Sequence, residues 1–282
     1  MIAIPYLKAH GARNDFLLTW RGELPSAISD FEAAARAICD RNTGVGADGW
    51  ILLSFDAGAS PEGADGSIDL WNSDGSRSEI SGNGTRCAAA ALMESGRVPD
   101  RTGQKIVIRT GAGTKHLTLL ERRGLFFLLE MNMGCAKIEE LCSGIALGRE
   151  SVILNVGNPQ CAVFVPDFKF DWQSLGAQLE RHPRFPNRTN VSFVRVADRH
   201  TLDVRFFERG AGETMSSGTG STGAAAAAYA RGFVEPPVQV LTPAGPLRLR
   251  WQGEEILLAG PAEITARGEF YWIENSEPSG NP

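Results

Sequence analysis

One stretch of this chain is written twice. Ile68-Asp-Leu-Trp-Asn-Ser-Asp-Gly-Ser-Arg-Ser-Glu-Ile-Ser-Gly-Asn-Gly-Thr85 aligns without a gap on Val204-Arg-Phe-Phe-Glu-Arg-Gly-Ala-Gly-Glu-Thr-Met-Ser-Ser-Gly-Thr-Gly-Ser221. Each copy runs from an apolar strand pattern to a polar residue, Asn72 or Glu208. Each then passes through a Gly/Ser loop to Ser-Gly-x-Gly and opens an alanine-rich helix, Cys87–Leu92 in one copy and Gly223–Ala228 in the other. A weaker echo pairs Gly11-Ala-Arg-Asn14-Asp15 with Val156-Gly157-Asn158-Pro159. Internal similarity of this kind points to an architecture assembled from equivalent units. Two related halves are expected. Residues 1–122, completed by 267–282, would form the first, and 123–266 the second, with the turn Arg122-Arg-Gly124 at the divide.

Apolar runs of four to eight residues between Gly, Asn and Asp clusters predict strands. They lie at 16–20, 50–55, 67–72, 105–110, 125–131, 151–156, 162–165, 191–196, 202–208 and 238–241, and 238–272 alternates strand and turn signals. Helices are fewer. Ser29-Asp-Phe-Glu32 has the capping-box pattern before a helix ending near Cys39. Gly82–Glu94, Gly218–Arg231 and Asp171–Arg181 are the others. Many strands and few helices, without strict alternation, predict an α+β fold.

A helix start leaves backbone N–H groups unpaired and carries partial positive charge. Glycine there lets a ligand approach the backbone. Ser81-Gly82-Asn83-Gly84 and Ser217-Gly218-Thr219-Gly220 therefore each read as an anion cradle. One copy alone is as well explained by an ordinary N-cap. Two copies with equal upstream spacing suggest a pair that holds a carboxylate and stabilises negative charge developing beside it.

Other chemistries fit less well. Gly44-Val-Gly-Ala-Asp-Gly49 precedes a strand rather than a helix, so it lacks dinucleotide-binding geometry. The five cysteines (Cys39, Cys87, Cys135, Cys142, Cys161) contain no Cys-x-x-Cys, and the four histidines are scattered, so neither disulfides nor a metal site are expected. Cys87 sits inside the alanine run and reads as a packed helix residue. The formal charge of −5 argues against a nucleic-acid partner. No apolar stretch is long enough to span a bilayer, and the N-terminus does not resemble a signal peptide, so a cytoplasmic protein is expected.

The motifs, in order, resemble the diaminopimelate epimerase family. They are Gly44-Val-Gly-Ala-Asp-Gly49, Asn72-x-Asp-Gly-Ser76, Gly82-Asn-Gly-Thr-Arg-Cys87, Gly157-Asn-Pro159, Asn190-Val-x-Phe193, Glu208-Arg-Gly-Ala-Gly-Glu-Thr214 and Gly218-Thr-Gly220. The resemblance spans nearly the whole chain. It implies two pseudo-symmetric α+β halves, each a β-roll around a central helix, with the ligand cleft between them. It implies an isomerase that interconverts LL- and meso-diaminopimelate, in lysine and peptidoglycan precursor biosynthesis, without pyridoxal phosphate, metal or other cofactor. One thiolate removes the α-proton and a second thiol delivers a proton to the opposite face. It also implies substrate contacts at Asn14, Asn72, Gly82, Asn83, Asn158, Asn190, Glu208, Arg209, Gly218 and Thr219, and a homodimer.

Two departures bear on the chemistry. The resemblance puts the family's catalytic cysteines at Ser81 and Ser217. A serine hydroxyl is a far weaker acid than a thiol and needs a dedicated base. The family's histidine after Asn-Pro is Gln160, which accepts no proton. Glu208 is the one carboxylate left near the expected site, as a base for Ser217. Four readings follow: a serine-based epimerase, with Ser81, Ser217 and Glu208 catalytic; an isomerase or dehydratase for another amino acid; a sequence with both cysteines replaced by engineering; or a non-catalytic amino-acid-binding protein. The first keeps the most of the retained binding residues.

Overall fold

The computed structural model describes residues 1–56 and 63–273. The chain separates into two compact units. One is Met1–Leu129 with the described residues from Pro261 onward; the other is Glu130–Gly260.

The first unit opens with β1 (Ile2–Gly11) and β2 (Asn14–Trp20), an antiparallel hairpin. Helix α1 (Phe31–Cys39) then leads to β3 (Gly49–Phe55), which lies parallel to β2. β3 pairs antiparallel with β4 (Gly66–Asn72), and β4 pairs with the short β5 (Arg77–Ser78). Helix α2 (Gly82–Glu94) carries the chain to β6 (Lys105–Thr110), parallel to β4, and β7 (Gly113–Arg123) returns antiparallel. β8 (Phe126–Cys135) follows the turn at Gly124.

The second unit repeats this plan. β9 (Lys137–Ala146) pairs antiparallel with β10 (Arg149–Asn155), which forms a hairpin with β11 (Pro159–Phe164). Helix α3 (Trp172–Glu180) leads to β12 (Asn190–Asp198), parallel to β11. β12 pairs with β13 (Thr201–Glu208), and β13 with the short β14 (Gly212–Thr214). Helix α4 (Gly218–Ala230) leads to β15 (Val238–Thr242), parallel to β13, and β16 (Gly245–Gln252) returns antiparallel. β17 (Glu255–Trp272) begins against β16 in this unit and ends against β1 in the first.

Each unit wraps its strands around one helix. In α2 every residue from Asn83 to Met93 is buried, against β1, β2, β3, β4 and β6. In α4, Gly220–Ala228 is buried, against strands of its own unit from β9 to β16. This explains the alanine runs. A helix enclosed on all sides cannot be amphipathic, and short side chains let the surrounding backbones close in. The structure is thus the α+β pair of rolls that the sequence suggests, with α2 over the expected span.

Some local expectations change. Helix α1 is capped by Asp30, whose carboxylate accepts the Ala33 N–H at 2.9 Å, not by Ser29. Asp is as good an N-cap as Ser, and it begins the helix one residue later. Asp171 caps α3 in the same way, through Ser174 N–H at 3.0 Å. The Cys87 thiol is fully buried, and burial pushes it up to about 12, which suits packing and not nucleophilic chemistry.

Candidate active site

The two helix starts match closely. Ser81 has φ −131° and ψ 123°, and its hydroxyl accepts the Gly84 N–H at 3.1 Å. Ser217 has φ −134° and ψ 123°, and its hydroxyl accepts the Gly220 N–H at 3.0 Å. The carbonyls of Ser81 and Ser217 accept from Thr85 N (2.8 Å) and Ser221 N (2.9 Å). These bonds use the third and fourth amides of each helix. Among the described residues, the amides of Gly82 and Asn83, and of Gly218 and Thr219, have no protein acceptor. Each helix therefore offers two adjacent N–H donors at its positive end, as an anion cradle requires.

Glycine at the third position brings each helix close to its floor. A Cβ on Gly84 would sit 3.0 Å from Ile51 Cδ1, and one on Gly220 would sit 2.8 Å from Phe206 Cδ1. Both helices thus begin pressed against the strand that floors them.

In the first unit, the β1–β2 turn brings Asn14 to Asn83: the Asn83 amide donates to Asn14 Oδ1 at 3.1 Å. Asn14 donates in turn to Asp48 Oδ2 at 2.6 Å. Arg41 holds Asp48 at 2.8 Å and Asp15 at 2.7 Å, and Lys8 adds a contact to Asp15 at 3.2 Å. Burial raises the Asp15 pKa, but the Arg41 and Lys8 hydrogen bonds outweigh it and hold the carboxyl below its ordinary value. Behind Asn83 lies Arg86, fully buried. Its guanidinium donates to Asn83 Oδ1 and to the Pro261 carbonyl at 3.3 Å. Burial pushes its pKa down to about 10. Asn72 is tied into its own turn, donating to Ser76 Oγ at 2.9 Å.

The second unit repeats the first contact with different residues. Asn158, in the β10–β11 turn, donates to Thr219 Oγ1 at 3.3 Å. Gln160 donates to Asn158 Oδ1 at 2.7 Å. Asn190 donates to the Pro159 carbonyl at 3.0 Å and accepts the Arg209 N–H at 3.0 Å. Glu208 ends β13. Its Oε2 accepts from Ser217 Oγ at 2.8 Å, and its Oε1 accepts from Thr214 Oγ1 at 2.7 Å. Burial pushes the Glu208 pKa up, against the opposing pull of the Thr214 and Ser217 hydrogen bonds. The residue keeps some exposed surface, but protein surrounds its carboxyl on most sides, so desolvation dominates.

The structure brings Asn14 to Asn83 at the first helix start, and Asn158 to Thr219 and Glu208 to Ser217 at the second; Asn190 holds the Arg209 N–H, and the Arg209 guanidinium donates to the Asn187 carbonyl at 3.3 Å. Asn72 stands at the strand position equivalent to Glu208. Sequence reasoning missed the supporting residues Asp15, Arg41, Asp48, Arg86, Thr214 and Glu180. Glu180, 3% exposed, accepts the Gly210 N–H at 3.2 Å and so fixes the loop that carries Arg209. Asp15, Asp48, Arg86 and Thr214 lay inside the quoted motifs; Arg41 and Glu180 did not. Among the described residues, no group of three or more His, Cys, Asp and Glu side chains could hold a metal ion, and no helix is long and apolar enough to cross a membrane.

The sequence model of the family described as diaminopimelate epimerase matches residues 6–139 and 152–265. The diaminopimelate epimerase of Pelotomaculum thermopropionicum is 37% identical over 94% of this chain and 98% of its own. That of Moorella thermoacetica is 34% identical over the same shares. Among solved structures, the PhzF-family phenazine biosynthesis protein of Bacillus anthracis superposes with a TM-score of 0.71 at 16% identity, over 97% of this chain and 100% of its own. The hydroxyproline epimerase of Agrobacterium vitis, with trans-4-hydroxy-L-proline bound, gives 0.67 at 15% identity, over 95% and 91%. At such identities these two speak for the fold. The sequence match speaks for more: the chain belongs to the diaminopimelate epimerase family.

Proposed function

We propose that the protein is a cofactor-independent amino-acid epimerase that interconverts LL- and meso-diaminopimelate by proton transfer at the α-carbon. The observation that carries this reading is the repeated Ser-Gly-x-Gly helix start, with two unpaired amides in each half of a chain of this family. An α-carboxylate accepts such amides, and the same donors stabilise the enolate-like charge that forms when the α-proton leaves. Asn14 and Asn83 flank the cradle of the first half, and Asn158 and Thr219 that of the second, as polar partners for an amino acid. Asn190 and Arg209 read the distal carboxylate and amine, with Arg209 suited to a carboxylate by its planar fork. The resemblance assigns the reacting positions to Ser81 and Ser217, and the Ser217–Glu208 hydrogen bond supports Glu208 as the base for Ser217. The resemblance also leads us to propose a homodimer in the cytoplasm, acting without nucleic acid.

Incubation of LL-diaminopimelate with the protein in deuterium oxide tests the reading. Deuterium at the α-carbon and appearance of the meso isomer are expected. Binding of diaminopimelate with no deuterium incorporated would instead make the chain an amino-acid-binding protein. Neither binding nor incorporation would move the substrate to another amino acid.

A further inference from the structure

The two halves are alike as helix starts and unlike as acid–base sites. Ser217 lies between the Gly220 amide and Glu208, with its proton directed at Oε2 over 2.8 Å. Thr214 fixes the other carboxylate oxygen at 2.7 Å. The matching positions in the first half are Asn72 for Glu208 and Ser78 for Thr214. Asn72 donates to Ser76 at 2.9 Å, and Ser78 donates to the Ile80 carbonyl at 3.3 Å. Among the described residues of that half, no carboxylate hydrogen-bonds Ser81; its hydroxyl serves the Gly84 N–H. Three carboxylates of the first half are engaged with other groups: Asp15 and Asp48 with Arg41, and Asp74 with Ser76 at 2.6 Å.

Resting on the epimerase reading, we infer that acid–base work at the α-carbon sits in the C-terminal half, where Glu208 acts through the Ser217 hydroxyl, and that the protein exchanges the α-proton of one diaminopimelate isomer with retention faster than it inverts that carbon. The step balances without a co-reactant. Ser217 Oγ takes the α-hydrogen as a proton while its own proton passes to Glu208 Oε2. The C–H electron pair stays on the α-carbon as an enolate-like carbanion, and Glu208 is left neutral. The proton held by Glu208 must trade with water before it returns, and deuterium uptake reads that trade directly. Reversal returns a solvent proton to the same face. Inversion needs a donor on the opposite face, which the resemblance assigns to Ser81. A hydroxyl that gives a proton there becomes an alkoxide to which no carboxyl of the described residues in its own half is hydrogen-bonded.

The test uses the full chain with LL- and meso-diaminopimelate separately in deuterium oxide. Proton NMR follows α-proton loss, and chiral chromatography follows isomer conversion. One isomer should lose its α-proton about a hundredfold faster than it converts, the lower end of what a positioned acid–base group contributes. The other should lose its proton no faster than it converts. Glu208→Gln keeps the side-chain shape and should lower the fast exchange by the same factor. Ser81→Cys supplies the missing acid and should raise conversion about tenfold or more. Exchange that equals conversion for both isomers would overturn the inference and leave the epimerase reading standing. So would a well-folded Glu208→Gln protein that exchanges like its parent. Exchange in neither isomer would overturn both.

Discussion

The helix starts at Ser81 and Ser217 superimpose in dihedral angles and hydrogen bonds, while the side chains around them diverge. Near Ser81 the structure invests in a charged scaffold: Arg41 bridges Asp15 and Asp48, Asp48 holds Asn14, Asn14 meets Asn83, and buried Arg86 backs Asn83. Near Ser217 it places a partly desolvated carboxyl against the hydroxyl itself. The sheets differ at the same register positions. Phe16 lies beside Gly49 in the first half, and Gln160 beside Asn190 in the second. Backbone geometry follows from a cap, two glycines and an alanine run, so duplication preserves it cheaply. A carboxylate at one atom of the cap is a matter of one side chain, and of the two serines only Ser217 has one hydrogen-bonded to it among the described residues.

The largest effect expected from breaking this difference is on rate. Glu208→Gln should slow α-proton exchange by about 10²–10⁴-fold, the range for removal of a positioned general base. Its stability should move the other way. Because the folded pKa of Glu208 lies above its unfolded value, the parent loses stability as pH rises from the ordinary glutamate value of 4.5 through the raised one. The glutamine variant has no such loss, and its urea midpoint at neutral pH should equal or exceed that of the parent. A lower midpoint would mean that Glu208 is held for packing.

Next come the glycines. Gly220→Ala drives a Cβ into the Phe206 ring at 2.8 and 3.0 Å, and overpacking of this kind costs about 1–3 kcal/mol. Gly84→Ala meets the far end of Ile51, which turns aside more readily, and should cost less. Urea unfolding of the two variants orders them, and the reverse order would contradict the packing described. The smallest expected difference is between the caps. Ser81→Ala and Ser217→Ala each remove one capping bond and should each cost about 1 kcal/mol of stability. Equal losses of stability with unequal losses of α-proton exchange would separate the shared structural role from the unshared chemical one.

How far the sequence reveals this depends on the range of the interactions. Helices α2 and α4 and their caps are legible because Ser, two glycines and an alanine run are local signals. β1 is not, because Pro5 interrupts a pattern that is mostly half-buried. β9 is hidden by charged residues on an exposed strand. β17 reads as several short pieces because Gly260-Pro261 looks like a break, yet the strand runs through all 18 residues from Glu255 to Trp272. In the site, the Glu208–Ser217 pair is expected because the resemblance leaves Glu208 as the one carboxylate near Ser217, and only nine positions separate the two. The Asn14–Asp48 and Asn14–Asn83 contacts join residues 34 and 69 apart, and no local pattern encodes them. Arg86 sits in a visible motif, but its role behind Asn83 emerges only once the helix is enclosed.

The pH dependence of α-proton exchange tests the central claim most directly, since Glu208 must be ionised to accept a proton. Asp15 does not confuse the measurement: its pKa is held below the ordinary aspartate value, so the stability it contributes is present above that value and lost only as pH falls below it. The account predicts that exchange falls as pH is lowered through a value above 4.5 in the parent, and that Glu208→Gln is slow and shows no such fall. A parent rate that stays level through that range, or a fall that survives in Glu208→Gln, would contradict it.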